Sequence, residues 1–218
     1  MSSAVERRQR ILDEIAKAAS LAKRDPKNVQ LVAVSKHRSV EDIEALIAAG
    51  QRNFGENRVQ EALAKWQPLL AKYPDVRLHE IGQLQSNKAT EAVKLFDVIH
   101  SVDRPSLLDA LVKAAAKVGR SPEVYVQVNI GEEEQKGGCS IAEVGDLIDL
   151  VRASPLPLAG LMAIPPLGPE PAPFFALLAE IARRHDVSGL SIGMSGDFKE
   201  AIMLGATSVR IGTALFEG

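Results

Sequence analysis

The chain has 218 residues, 46% hydrophobic and 25% charged, which suffices for one sizeable core and one domain spanning 1–218. With 26 Lys and Arg against 28 Asp and Glu, the net charge of -2 excludes a general pull toward nucleic acid or anionic membrane, so any anion site must be built locally. The single cysteine, Cys139, excludes an internal disulfide framework and a Cys-rich metal site, and no stretch approaches the roughly 20 apolar residues that cross a bilayer. A soluble, cytoplasmic protein is expected, monomeric, with a dimer as the alternative.

The N-terminal "MSSAVERRQRILDEIAKAASLAKRD" reads as an amphipathic helix, because its apolar residues recur at helical spacing and it has no signal-peptide core. Eight strands follow. They are "VQLVAVS" from Val29, "RNF" from Arg52, "RLHEIG" from Arg77, "DVIHSV" from Asp97, "EVYVQVNI" from Glu123, "LPLAGLMAI" from Leu156, "LSIGM" from Leu190 and "TSVRIG" from Thr207, with seven helical segments between them. "SVED" after the first strand and "SIAE" at Ser140 have the form of capping boxes, Pro105 suits a first helical turn, and Gly50 and Gly205 suit left-handed helix ends. "IPPLGPEPAP" from Ile164 is a loop. The alternation predicts a single (β/α)8 TIM barrel with an extra N-terminal helix. An open doubly wound sheet is disfavoured, since "SKHRSV" stands where its glycine fingerprint belongs.

Barrel chemistry sits at the C-terminal strand ends. There the sequence delivers Lys36, "GENR" with Asn57, His79 with Gln83, Ser101 with Asp103, Asn129, Met162, "GMSGD" with Ser195, and Arg210 followed by Gly212 and Thr213. Lys36 reads either as a solvated lysine at a helix entrance or, because "LVAVS" is apolar on both faces, as a cation at the barrel mouth. A lysine partly desolvated in such a pocket is a candidate for Schiff-base formation with an aldehyde. In "GMSGDFKEAIMLGA" a helix is expected at or near Ser195, which serves either as a simple N-cap or, with Gly212 and Thr213, in a phosphate site of loops seven and eight. Arg210 is either a structural ion-pair arginine or an inward guanidinium; opposite a pyridine nitrogen it would favour the unprotonated ring, since it donates only. His79 and His100 read as hydrogen-bonded core residues with no metal spacing, so no metal is assigned. "GEEEQKGG" from Gly131 is a charged loop on the same face, a rim or lid in position, and Cys139 is a packing residue.

"AVSK", "FGENRVQEA", "IGQLQSNK", "SVD", "VQVN", "GLMAI", "GMSGDFKEAI" and "VRIGTALF", in this order over almost the whole chain, resemble the blocks of the pyridoxal phosphate homeostasis proteins, single-domain relatives of the alanine racemase barrel. The resemblance implies that Lys36 carries pyridoxal 5'-phosphate (PLP) as a Schiff base and that Asn57 lies beside its ring. It also implies that Arg210 faces the pyridine nitrogen, that Ser195, Gly212 and Thr213 hold the phosphate, and that His79 and Met162 lie near the cofactor. The sequence departs from the family at Gln83, where histidine is frequent, at Glu80, where an apolar or aromatic residue is common, at Gly196, where alanine is frequent, and in stopping at "ALFEG". The implied function is to buffer or deliver PLP, with apo PLP enzymes as recipients. A weak PLP-dependent racemase or decarboxylase is the alternative, and a binder of some other phosphorylated metabolite is a third. Efficient racemisation is not expected. It needs a base on each face of the substrate, the opposite base of the racemases is a tyrosine set with the help of an added β domain, and Tyr73 and Tyr125 fall in a helix and within the fifth strand.

Overall fold

The computed structural model describes residues 2–217. After helix α1 (Ala4–Leu21), eight parallel strands close into a barrel in sequence order: β1 (Gln30–Val34), β2 (Asn53–Glu56), β3 (Arg77–Glu80), β4 (Val98–Val102), β5 (Glu123–Gln127), β6 (Leu158–Met162), β7 (Leu190–Ser191) and β8 (Ser208–Ile211). Closure places Val32 of β1 beside Arg210 of β8. The connecting helices are α2 (Val40–Ala48), α3 (Val59–Lys72), α4 (Ala89–Leu95), α5 (Pro105–Val118), α6 (Val144–Ala153), α7 (Ala172–Arg184) and α8 (Phe198–Met203), and a short α9 (Thr213–Phe216) follows β8. None of the described helices is long and apolar enough to cross a membrane.

Local chemistry sets the helix ends. Ser39 caps α2 by accepting from Asp42 N at 3.1 Å, Pro105 opens α5, and Gly50 and Gly205 adopt φ of 90° and 108° where helices end. "SIAE" forms its reciprocal bonds, Glu143 N to Ser140 Oγ at 3.3 Å and Ser140 N to Glu143 Oε2 at 3.2 Å, but around a turn just ahead of α6.

Most of the core lies between the sheet and the helices; Leu31, Ala33, Phe54, Leu78 and Trp66 belong to it. The inner face of the barrel differs. Its small apolar cluster is Val98, Tyr125 and Met162, and the buried polar residues His79 and Ser191 stand beside Val98 and Met162 at the same levels of the sheet. Helix α1 buries Ile11, Ile15, Ala18 and Ala19 and is tied to the end of the chain, with Arg7 Nε donating to Leu215 O at 2.7 Å and Arg24 to Ile202 O and Ala206 O at 2.6 and 2.8 Å.

Candidate functional site

Strand β1 delivers Lys36 to the mouth. Leu31 and Ala33 pack outward, Val32 and Val34 lie against Gly55 and Gly212 on the inner face, and Ser35 turns outward to Glu56; Lys36 follows directly past the C-terminal end of β1. The strand ends at Val34, and Lys36 sits in a turn whose next residue, His37, has φ 60°. Lys36 is exposed. The partial desolvation expected for it is therefore not built into the protein, because the chain leaves the sheet before the lysine is covered.

Two clamps fix this turn. Beneath it, the buried Glu56 Oε1 accepts from Ser35 Oγ at 2.7 Å and Trp66 Nε1 at 2.9 Å and pairs with Lys65 Nζ at 2.7 Å, while the same ammonium donates to Ser35 O at 2.8 Å. Beyond it, Arg38 lies over the Phe216 ring at 5.1 Å and pairs with Glu217, joining the turn to α9. His37 holds a left-handed conformation that costs about 1–2 kcal/mol, and these contacts offset it.

The β7–α8 connection corrects one expectation. Helix α8 begins at Phe198, not at or near Ser195, and Asp197 occupies the cap position, its Oδ1 accepting from Met194 N at 2.6 Å. The turn closes through Phe198 N to Met194 O at 2.9 Å, so the Ser195 hydroxyl is exposed and takes no part in capping. Gly212 is the residue before α9 and Thr213 its first residue, also exposed. A substituent on Gly212 would lie 3.4 Å from Val34 O, so glycine keeps this edge of the mouth open. Ser195 and Ala214 line one cavity of about 380 Å³ with Arg10 and Lys199, which brings the two connections together.

The floor is built around Arg210. Arg210 is 4% exposed. Nη1 donates to Ser191 O and Ser191 Oγ, both at 2.6 Å, and Nη2 to Ala163 O at 3.2 Å. No carboxylate pairs with it among the described residues, so it is not the structural ion-pair arginine of the bland reading. Burial lowers its pKa to about 10, with Asp197 and then Tyr125 opposing the shift; it remains charged at neutral pH. His100 Nδ1 lies 2.8 Å from Ser191 Oγ, His100 Nε2 2.9 Å from His79 Nδ1, and His79 Nε2 3.1 Å from Asn53 Oδ1. Both rings are buried, and burial is the main cause that pushes His79 down to about 3 and His100 well below 6.5. Met162 is buried against Val98 and Tyr125. His79 and Met162 thus lie inside the barrel, whereas Lys36, Ser195 and Thr213 stand on the rim; half-buried Asn57 lines two cavities at the mouth.

Residues 131–138 fold over the β2 to β6 side of this mouth. Gly138 N donates to Asp103 Oδ2 at 3.3 Å, Gln127 Nε2 to Gly137 O at 3.2 Å and Lys136 Nζ to Pro165 O at 3.0 Å. Below lies a cavity of about 290 Å³ lined by Asn57, Gln83 and Gln127 among others. Cys139 is buried behind the loop, its thiol pushed up to about 12 chiefly by burial, as fits a packing residue.

Glu80 lies behind the mouth, its carboxyl accepting from Gly82 N at 2.9 Å and held by Ser101 Oγ at 2.5 Å. Burial pushes it from 4.5 to about 8. Between these values the unfolded chain has released a proton that the folded chain keeps, so this group makes stability fall as pH rises, by at most roughly 1.4 kcal/mol per unit. The depressed histidines act oppositely: stability is lost as pH falls below about 6.5 toward about 3 for His79. Glu80→Gln is expected to flatten the decline between pH 5 and 8 in urea unfolding. An unchanged slope would show that Glu80 is not the group responsible.

The chain matches the model of the alanine racemase N-terminal domain family over residues 8–218. It is 41% identical over 201 residues to the pyridoxal phosphate homeostasis protein of Synechocystis, covering 88% of this chain and 92% of that one. The protein of the same description from Escherichia coli is 38% identical over 218 residues, covering 94% and 92%. The chain belongs to the pyridoxal phosphate homeostasis protein family. Within this family, the structure of PipY from Synechococcus elongatus with PLP bound superposes with a TM-score of 0.79 at 42% identity, covering 93% of this chain and 99% of PipY. Alanine racemase from Clostridium difficile, at 15% identity, a TM-score of 0.73 and coverage of 94% and 55%, shares the barrel. The racemase-like barrel of the homeostasis proteins is thus the fold of this chain.

Proposed function

We propose that this protein binds PLP in intracellular PLP homeostasis, holding it as a Schiff base on Lys36 and buffering or delivering it. The observation that carries the reading is the presence, at one end of one barrel, of an accessible lysine just past β1 and a buried guanidinium with no carboxylate partner among the described residues. A buried cation satisfied only by neutral acceptors is costly unless a ligand completes it, and the uncommitted donors of Arg210 suit the acceptor nitrogen of a pyridine. Ser195, Gly212 and Thr213 supply hydroxyl and backbone donors for the phosphate, and Asn57 borders the ring. The PLP-bound relative supports this assignment of ligand.

When bound, PLP supplies an aldehyde, whose condensation with the Lys36 amine forms a C=N bond and releases one water. The protein's residues do the rest. The clamps of Glu56 and Arg38 hold the lysine turn, Arg210 donates from the floor, and the 131–138 loop limits access of water from one side. Racemisation requires a second proton-transfer group across from Lys36. Tyr125 is buried, stacked on His100 at 4.4 Å, and Tyr73 sits at the end of α3 bonded to Glu44, so neither provides it. A cytoplasmic monomer that passes PLP to apo enzymes completes the proposal.

The test is a visible spectrum of the purified protein before and after borohydride, with peptide mapping. A yellow band removed by reduction, with the pyridoxyl group on Lys36, is expected; a protein that stays colourless with added PLP would overturn the reading. Replacing Ser195 and Thr213 together by alanine is expected to weaken PLP retention about tenfold or more, the scale of losing hydrogen bonds to a charged group. Equilibrium dialysis checks this, and undiminished retention would remove the phosphate assignment.

A further inference from the structure

The polar groups inside the barrel form one directed chain. Asn53 presents its carbonyl oxygen to His79 Nε2 at 3.1 Å, so that nitrogen carries the hydrogen. In a neutral imidazole the other nitrogen then accepts, which makes His100 Nε2 the donor to His79 Nδ1 at 2.9 Å. His100 Nδ1 must accept in turn, and the Ser191 hydroxyl donates to it at 2.8 Å. That leaves Ser191 Oγ free to accept from Arg210 Nη1 at 2.6 Å. Every hydrogen points the same way, from β8 through β7, β4 and β3 to β2. Burial keeps both imidazoles neutral, the condition on which the direction depends.

We propose that His100 is a positioning residue for Arg210: by fixing the Ser191 hydroxyl as an acceptor toward β8, it sets the guanidinium so that its uncommitted donors face the ring nitrogen of the ligand. This rests on the PLP reading given above. The stacking of His100 on Tyr125, with 13° between the ring planes, fixes the imidazole itself. A ring turned over, or a charged ring, would have no hydrogen-accepting nitrogen for Ser191. The hydroxyl hydrogen, left without that acceptor, would be free to turn toward Arg210 Nη1, donor facing donor, which weakens one of the three anchors of Arg210.

Two measurements test this. In the unliganded protein with 15N-labelled histidine, NMR is expected to show His79 and His100 both neutral and both protonated at Nε2 between pH 6 and 8; an Nδ1-protonated or charged His100 would overturn the inference without reference to PLP. In the loaded protein, His100→Phe, which keeps the stacking shape, is expected to shift the visible band and weaken PLP binding about tenfold, while His100→Gln, which keeps an acceptor and a donor, restores both toward wild type. A His100→Phe protein with the wild-type band and affinity would overturn the positioning role. If the wild type takes up no PLP, the functional reading fails, and the NMR result still decides the direction of the chain.

Discussion

Lys36→Ala protein incubated with PLP and reduced with borohydride is expected to carry no pyridoxyl group on the β1–α2 turn and to retain PLP at least about tenfold more weakly, a loss of ~1.4 kcal/mol or more. The physical basis is that the Lys36 amine is exposed just past the end of β1 and is the proposed nucleophile, whereas the neighbouring Lys65 is committed to Glu56 and Ser35. Lys36→Arg separates covalency from charge, since a guanidinium keeps the cation and does not serve as this nucleophile. If Lys36→Arg loses the reducible band as completely as Lys36→Ala, the covalent role is established. A full adduct in Lys36→Ala, mapped to a different lysine, would show that the amine at the end of β1 is not the one that reacts.

The second large effect is expected at Glu56, which lies beneath the lysine turn. Its side chain is 2% exposed, and it accepts from Ser35 and Trp66 while pairing with Lys65, itself 15% exposed. Glu56→Ala leaves a largely buried ammonium and two donors without their acceptor, a loss of about 3–5 kcal/mol, which for a chain of this size lowers Tm by about 10 °C. Glu56→Gln combined with Lys65→Met keeps an oxygen for Ser35 and Trp66 and removes the orphaned charge, so it is expected to recover more than half of the loss. Thermal and urea unfolding of the two variants decide the matter. A Glu56→Ala protein as stable as wild type would mean that the pair contributes nothing net.

Much of the fold was legible because periodicity is local. Eight strands and seven helical segments occur in the order read from the sequence, though β5 ends at Gln127 and β7 keeps only Leu190 and Ser191 of "LSIGM", and Ser39, Gly50, Pro105 and Gly205 mark helix ends as their side chains and φ preferences dictate. The strand ends made legible that Lys36, Asn57, Ser195, Gly212 and Thr213 gather at one end of the barrel, whereas His79, Met162 and Arg210 lie inside it; their roles toward a ligand belong to the proposal. The start of α8 was misread: Asp197 Oδ1 accepts from Met194 N and closes a turn over 194–197, so α8 begins only at Phe198, and no side chain caps it. The exposure of Lys36 was not readable either, since an apolar strand does not reveal where the chain leaves the sheet. Hardest to see were Ser191 with His100, and Arg38 with Glu217. The first pair is 91 residues apart and the second 179, and no spacing rule spans such distances; the available signal was only that Ser191 and Arg210 each occupy an inner position near the end of their strands.

The contact of Arg38 with Phe216 and Glu217 has a consequence for timing. Because it fastens the lysine turn to α9, the proposed covalent anchor and one wall of the proposed phosphate cradle are joined as one unit, assembled when β8 docks beside β1. The loss of conformational freedom needed to bring them together is therefore incurred during folding, not on ligand arrival, so little ordering remains when a ligand enters. On the proposed function, a carrier built this way would exchange its cargo at a rate set by bond making and breaking at Lys36 and by passage beneath the 131–138 loop.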